Sequence, residues 1–271
     1  MQYPATRPHD AAMGQIETAR GRIGYVEEGG GKEAPILFLH GVGSDKSVWK
    51  PQIDHFGKTR RAVAFDYPGY GESEFVDGAT RDDFAAAILA AMNALDIDRA
   101  HICGLSLGGV IAIAMHSAAA HRCRSLIIAD SFAVHPDGQG IHDRSVAASH
   151  AMTMRELAEA RSGMLLGSEA TDELRTEVVN TMAAIDPAAY RLGAAAVWLA
   201  DQRDRAACVD VPTLILVGDE DRITPASLSK ELQELIPQSV LQLIGQAGHL
   251  ANAEQSQAFN SAIESFLSQQ R

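Results

Sequence analysis

The chain has 271 residues, 46% hydrophobic and 21% charged, which excludes disordered, fibrous and collagen-like classes. That length holds one large domain or two modest ones and buries an ample core without disulfide or metal staples. Lysine and arginine number 23 against 35 acids, a formal charge of −12, which argues against a nucleic-acid partner. Phosphate binding needs a clustered basic face. The three cysteines, Cys103, Cys123 and Cys208, cannot pair completely and read as free thiols in a reducing compartment.

In chain order, residues 1–14 read as a polar lead-in without the apolar core of a signal peptide, so a cytoplasmic protein is expected. No stretch reaches the roughly 18 apolar residues of a membrane helix, so no membrane partner is expected. Segments 16–20 and 22–28 suit an antiparallel hairpin. Buried strands are expected at 35–40 (PILFLH), 61–66 (RAVAFD), 100–104 (AHICG), 125–130 (SLIIAD) and 212–218 (PTLILVG). Such near-continuous apolar runs suit a parallel sheet covered on both faces. Between them lie helical stripes, among them Phe84, Ile88, Leu89, Met92 and Leu95, and later Phe259, Ile263, Phe266 and Leu267. Strand–helix alternation predicts a doubly wound α/β fold.

One interval breaks the rhythm. From 133 to 207 the pattern is helical, around 146–166, 171–183 and 187–200. This predicts a helical cap at 133–207 inserted into a sheet domain made of 1–132 and 208–271.

The chemistry starts at Gly104-Leu105-Ser106-Leu107-Gly108, between a strand and a helical run. A strand-to-helix turn of this kind lifts the serine hydroxyl above the sheet, beside the favourable field of a helix N-terminus. A serine needs a base, and His249, in a loop after the run VLQLI, falls on the same sheet edge. The third member must orient the imidazole. Asp221 in GDEDRITP is the first choice, with Asp219 second and Asp130, at the end of SLIIAD, a competitor. Asp66 ends another strand, but its glycine-rich surroundings favour a structural turn. The backbone N–H groups of Val42, in His40-Gly41-Val42-Gly43, and of Leu107 are candidates for an oxyanion hole. His40 is expected to hold that loop by hydrogen bonds. Candidate pocket walls are Phe132, Trp198, Ile223 and Leu250, and an apolar lining would favour an acyl chain or aromatic acid over a dianion. No Cys, His or Asp spacing suggests a metal, and no cofactor is expected.

Together HGVG, DYPGYGES, GLSLGG and GDEDRITP followed by AGH resemble the α/β-hydrolase superfamily over roughly residues 20–270. LFLHGVGSDKSVWKPQ and DIDRAHICGLSLGGVIA look most like its 3-oxoadipate enol-lactonase branch. The resemblance implies an α/β-hydrolase fold, and its G-x-x-D pattern matches Asp221. The chain departs from the branch at Asp66-Tyr67-Pro68-Gly69-Tyr70-Gly71, where an arginine is usual. Dehalogenases and epoxide hydrolases carry an aspartate where Ser106 stands. Carbon–carbon hydrolases usually have a small polar residue at the position of Leu105. The reading is a serine hydrolase of small-molecule esters or lactones, among them acyl-homoserine lactones, enol-lactones and simple esters. The alternatives are a carbon–carbon bond hydrolase or perhydrolase on the same triad, and a non-catalytic receptor of the same fold.

Overall fold

The computed structural model describes residues 12–270. The expected lead-in therefore falls outside the described residues up to 11, and 12–14 belong to a strand instead.

Among the described residues one sheet has eight strands: β1 (Ala12–Thr18), β2 (Gly21–Glu28), β3 (Glu33–Leu39), β4 (Arg60–Phe65), β5 (Ala100–Leu105), β6 (Cys123–Ala129), β7 (Thr213–Gly218) and β8 (Ser239–Ile244). Their spatial order is β1-β2-β4-β3-β5-β6-β7-β8. β2 runs antiparallel to β1 and β4, which is the expected hairpin lengthened at its outer end. All other pairings are parallel.

The central parallel strands are largely apolar because both faces are covered, whereas the edge strand β8 is half-exposed. Every residue of β5 and β7 is buried. Alternate side chains serve opposite layers: Leu37 and Leu39 of β3 enter one core, Ile36 and Phe38 the other. The first core takes Phe84 and Ile88 of α2 (Arg81–Ala94) and Val110 of α3 (Leu107–Ala119). The second takes Phe56 of α1 (Lys50–Phe56), and Phe259 and Ile263 of the last helix. Both predicted stripes are thus core faces.

Between β6 and β7 stand α4 (Gly138–Ala151), α5 (Met154–Leu165), α6 (Asp172–Ala183), α7 (Pro187–Trp198) and the short α8 (Arg203–Ala207). The single helix expected over 146–166 is two. Thr153 accepts from Glu156 N–H while Glu156 bonds back to Thr153 N–H, so α5 starts afresh with its own capping box. At the base of the insertion Val134 bridges Asp201 and Gln202 N–H donates to Ala133 O at 2.8 Å, so the chain leaves and re-enters side by side. α9 (Ala226–Leu235), α10 (Ala251–Glu254) and α11 (Ser256–Ser268) complete the chain. No helix among the described residues is long and apolar enough to cross a membrane.

Candidate active site

Ser106 sits between β5 and α3 with φ 54° and ψ −113°, a left-handed backbone that a non-glycine residue rarely adopts. The turn fits because its glycines have no side chains. A Cβ on Gly104 would lie 2.1 Å from Gly108 O, and one on Gly108 would lie 2.0 Å from Leu39 O. The backbone is held from outside as well, since Ser106 N–H donates to Ala129 O and Ser131 Oγ donates to Ser106 O.

The loop after β3 lies directly over this turn: a Cβ on Gly41 would come within 3.5 Å of Ser106 Cβ. His40 is buried, which lowers its pKa and favours the neutral ring, and its Nδ1 lies 2.8 Å from Gly41 O. Tyr67 and Tyr70, from DYPGYGES, are fully buried and flank the His40 ring. Their hydroxyls donate to His40 O at 3.3 Å and Val42 O at 3.2 Å. That segment is therefore a brace for the loop, which no local sequence signal announced. Neither Val42 N–H nor Leu107 N–H has a hydrogen-bond partner among the described residues. The brace continues through Asp66, which accepts from Lys46 N–H and Glu72 N–H and pairs with Lys46 Nζ at 2.7 Å.

His249 and Asp221 meet across two loops, with Nδ1 and Oδ2 2.9 Å apart. Asp221 also accepts from Thr224 Oγ1 at 2.6 Å and from the N–H groups of Ile223 and Thr224. Burial would raise its pKa, but the neighbouring His249 and these hydrogen bonds outweigh that and bring it down to about 2. The other candidate acids do not reach the imidazole. Asp219 accepts from Ala247 N–H, and Glu220 holds Ser168 in the insertion. Asp130 accepts from Gly218 N–H at 2.8 Å, and burial, reinforced by the charge of Asp221, pushes its pKa well up. It is a strut between the ends of β6 and β7, where removal from water disfavours its charged form.

Ser106 and His249 open onto one cavity, whose walls include Trp198, Ile223, Leu250, Leu174, Val178 and Met182. Phe132 departs from the sequence reading. It is fully buried and stacks behind Trp198 at 5.8 Å instead of standing at the wall. Arg161 of α5 is the one guanidinium or ammonium among the lining residues; its Nη1 donates to Tyr190 OH at 3.2 Å. It makes no ion pair among the described residues. No cluster of His, Cys, Asp and Glu among the described residues suits a metal ion.

Residues 34–256 match the family model described as the alpha/beta hydrolase fold. The chain belongs to that family. It is similar to 3-oxoadipate enol-lactonase 1 of Acinetobacter baylyi, 28% identical over 93% of this chain and 96% of that one. It is also similar to the 2-hydroxy-6-oxo-2,4-heptadienoate hydrolase of Pseudomonas putida, 25% identical over 86% and 88% of the two chains. The solved enol-lactonase of Burkholderia xenovorans LB400 superposes with a TM-score of 0.88 at 24% identity, covering 94% of this chain and 100% of that one, a likeness of fold. Within this alpha/beta hydrolase, sequence reasoning missed Thr224, three residues after Asp221, and Glu254, five after His249.

Proposed function

We propose that this alpha/beta hydrolase cleaves small carboxylic esters or lactones through an acyl-enzyme. The carrying observation is the 2.9 Å contact of His249 Nδ1 with Asp221 Oδ2 at the cavity that also holds Ser106. Asp221 fixes the tautomer in which Nδ1 bears the proton, leaving Nε2 as the base. Nε2 takes the Ser106 proton as Oγ bonds to the substrate carbonyl carbon. The unpartnered N–H groups of Val42 and Leu107 hold the resulting oxyanion. His249 then protonates the leaving oxygen as the acyl–oxygen bond breaks. Water deprotonated by His249 attacks the acyl carbon, and the acyl–Oγ bond breaks as His249 returns the proton to Ser106 and the acid leaves. The helices between β6 and β7 act as a cap that supplies most of the walls. The largely apolar walls suit an acyl group, Arg161 offers a cation to a carboxylate on it although Glu177 also lines the cavity, and the enol-lactonase relative supports a lactone.

A second reading, hydrolysis of a carbon–carbon bond on the same residues, has the heptadienoate hydrolase relative in its favour. The test is a pH-indicator assay of lactones, linear esters and a ring-cleavage dienoate with wild type and Ser106→Ala. Ester or lactone turnover that falls roughly four to six orders of magnitude in the variant is expected. Turnover of the dienoate alone would favour the second reading, and full activity in Ser106→Ala would overturn both.

A further inference from the structure

Three backbone N–H groups from two separate chain segments converge on one carboxylate. Glu254 Oε1 accepts from Gly248 N–H at 3.0 Å and Leu250 N–H at 3.2 Å. Its Oε2 accepts from Gly167 N–H at 2.7 Å, in the link after α5. Gly248 and Leu250 flank His249, whose own N–H donates to Leu165 O at 2.8 Å. All three consecutive amides of the histidine loop are thereby engaged, two by Glu254 and one by the insertion.

Where Gly167 meets Gly248 the junction has no room for side chains, although Leu165, Leu166, Ala247 and Leu250 pack in one buried cluster around it. A Cβ on Gly248 would lie 2.5 Å from Gly167 N, and one on Gly167 would lie 2.9 Å from Gly248 N, so two bare backbones run against each other. Leu250, the residue just before α10, has a side chain that can accept nothing, so the amides leading into that short helix lack a local acceptor. Glu254 reaches back along the helix to supply the acceptor, and its second oxygen extends the grip to the insertion. Charge-assisted bonds of this kind are about twice as strong as neutral ones.

We propose that Glu254 is a positioning residue for His249. It fixes residues 248–250 and locks them to the insertion, so that the imidazole meets Ser106 in one orientation. This rests on His249 being the base.

The test compares wild type with Glu254→Ala and Glu254→Gln in two readouts: kcat and KM on the best ester or lactone, and the downfield proton resonance of His249 Nδ1–H. Asp221→Asn identifies that resonance. In Glu254→Ala the expectation is a fall in kcat of about 10- to 100-fold with KM little changed, and a broadened or displaced resonance. Glu254→Gln falls between, because its carbonyl oxygen can serve Gly248 and Leu250 but its amide cannot accept from Gly167. Should the alanine variant not fold, the glutamine variant carries both readouts. A lowered melting temperature with kcat and the resonance both unchanged would overturn the proposal and leave Glu254 a structural residue. The two readings fail separately: full turnover in Ser106→Ala sinks the serine hydrolase, while the resonance still reports on Glu254.

Discussion

Thr224 Oγ1 lies 2.6 Å from Asp221 Oδ2, closer than the imidazole that the same carboxylate oxygen faces. The hydroxyl thus helps to keep the acid charged where burial alone would neutralise it. Asp221→Asn removes the charge and the tautomer control, and kcat is expected to fall about 10⁴-fold. Thr224→Val, which removes one hydrogen bond to a charged group, is expected to cost about 10-fold.

The same pair sets an acid limit on stability. The folded pKa of Asp221, about 2, lies below the ordinary carboxylate value of 3.8. A depressed carboxylate stabilises the fold above its unfolded pKa and loses that contribution as pH falls through the folded value. The difference in melting temperature between wild type and Asp221→Asn should therefore shrink between about pH 4 and pH 2. A constant difference across that window would contradict this.

Arg161 faces the cavity without a carboxylate partner among the described residues. Arg161→Gln should raise KM for a substrate with a terminal carboxylate about 10- to 100-fold, the worth of a hydrogen bond to a charged group. A neutral ester of equal length should be little affected. Parallel kinetics on the two substrates check this, and equal losses on both would contradict it.

Lys46 neutralises Asp66, whose side chain is fully buried. Lys46→Met leaves that charge uncompensated and is expected to destabilise by about 3–5 kcal/mol. Because Asp66 also holds the backbone next to the Val42 loop, activity should fall at temperatures where the variant remains folded. Denaturant unfolding beside assays at low temperature separates the two losses.

The strands and the Ser106 turn are legible in the sequence because their signals are local: apolar runs of strand length, and glycines where the chain must turn tightly. Asp221 is narrowed to a few acids but not singled out by spacing, since Asp219, Glu220 and Asp130 also stand at strand ends. Only the fold decides which carboxylate meets the imidazole. Phe132 reads as a wall because an aromatic next to a motif looks the same in sequence whether it lines a cavity or backs the residue that does. The break at Thr153 is written in the chain as Thr-Met-Arg-Glu, a cap signal that helical period on either side obscures. Tyr67, Tyr70, Lys46 and Glu254 act across tertiary contacts, which no window along the chain reveals.

The bare-backbone contact of Gly167 with Gly248 has a consequence for how such proteins diversify. A Cβ on Gly218, at the head of the Asp221 loop, would likewise lie 2.1 Å from Gly248 O, so three segments share one seam with no room for a side chain. Drift toward new substrates has more room in α4 and α6, whose faces are largely exposed, than in residues 165–168 taken in isolation. A chimaera that grafts another protein's helical insertion onto this sheet must therefore carry a matching seam, or it exchanges the walls of the cavity at the expense of the histidine loop.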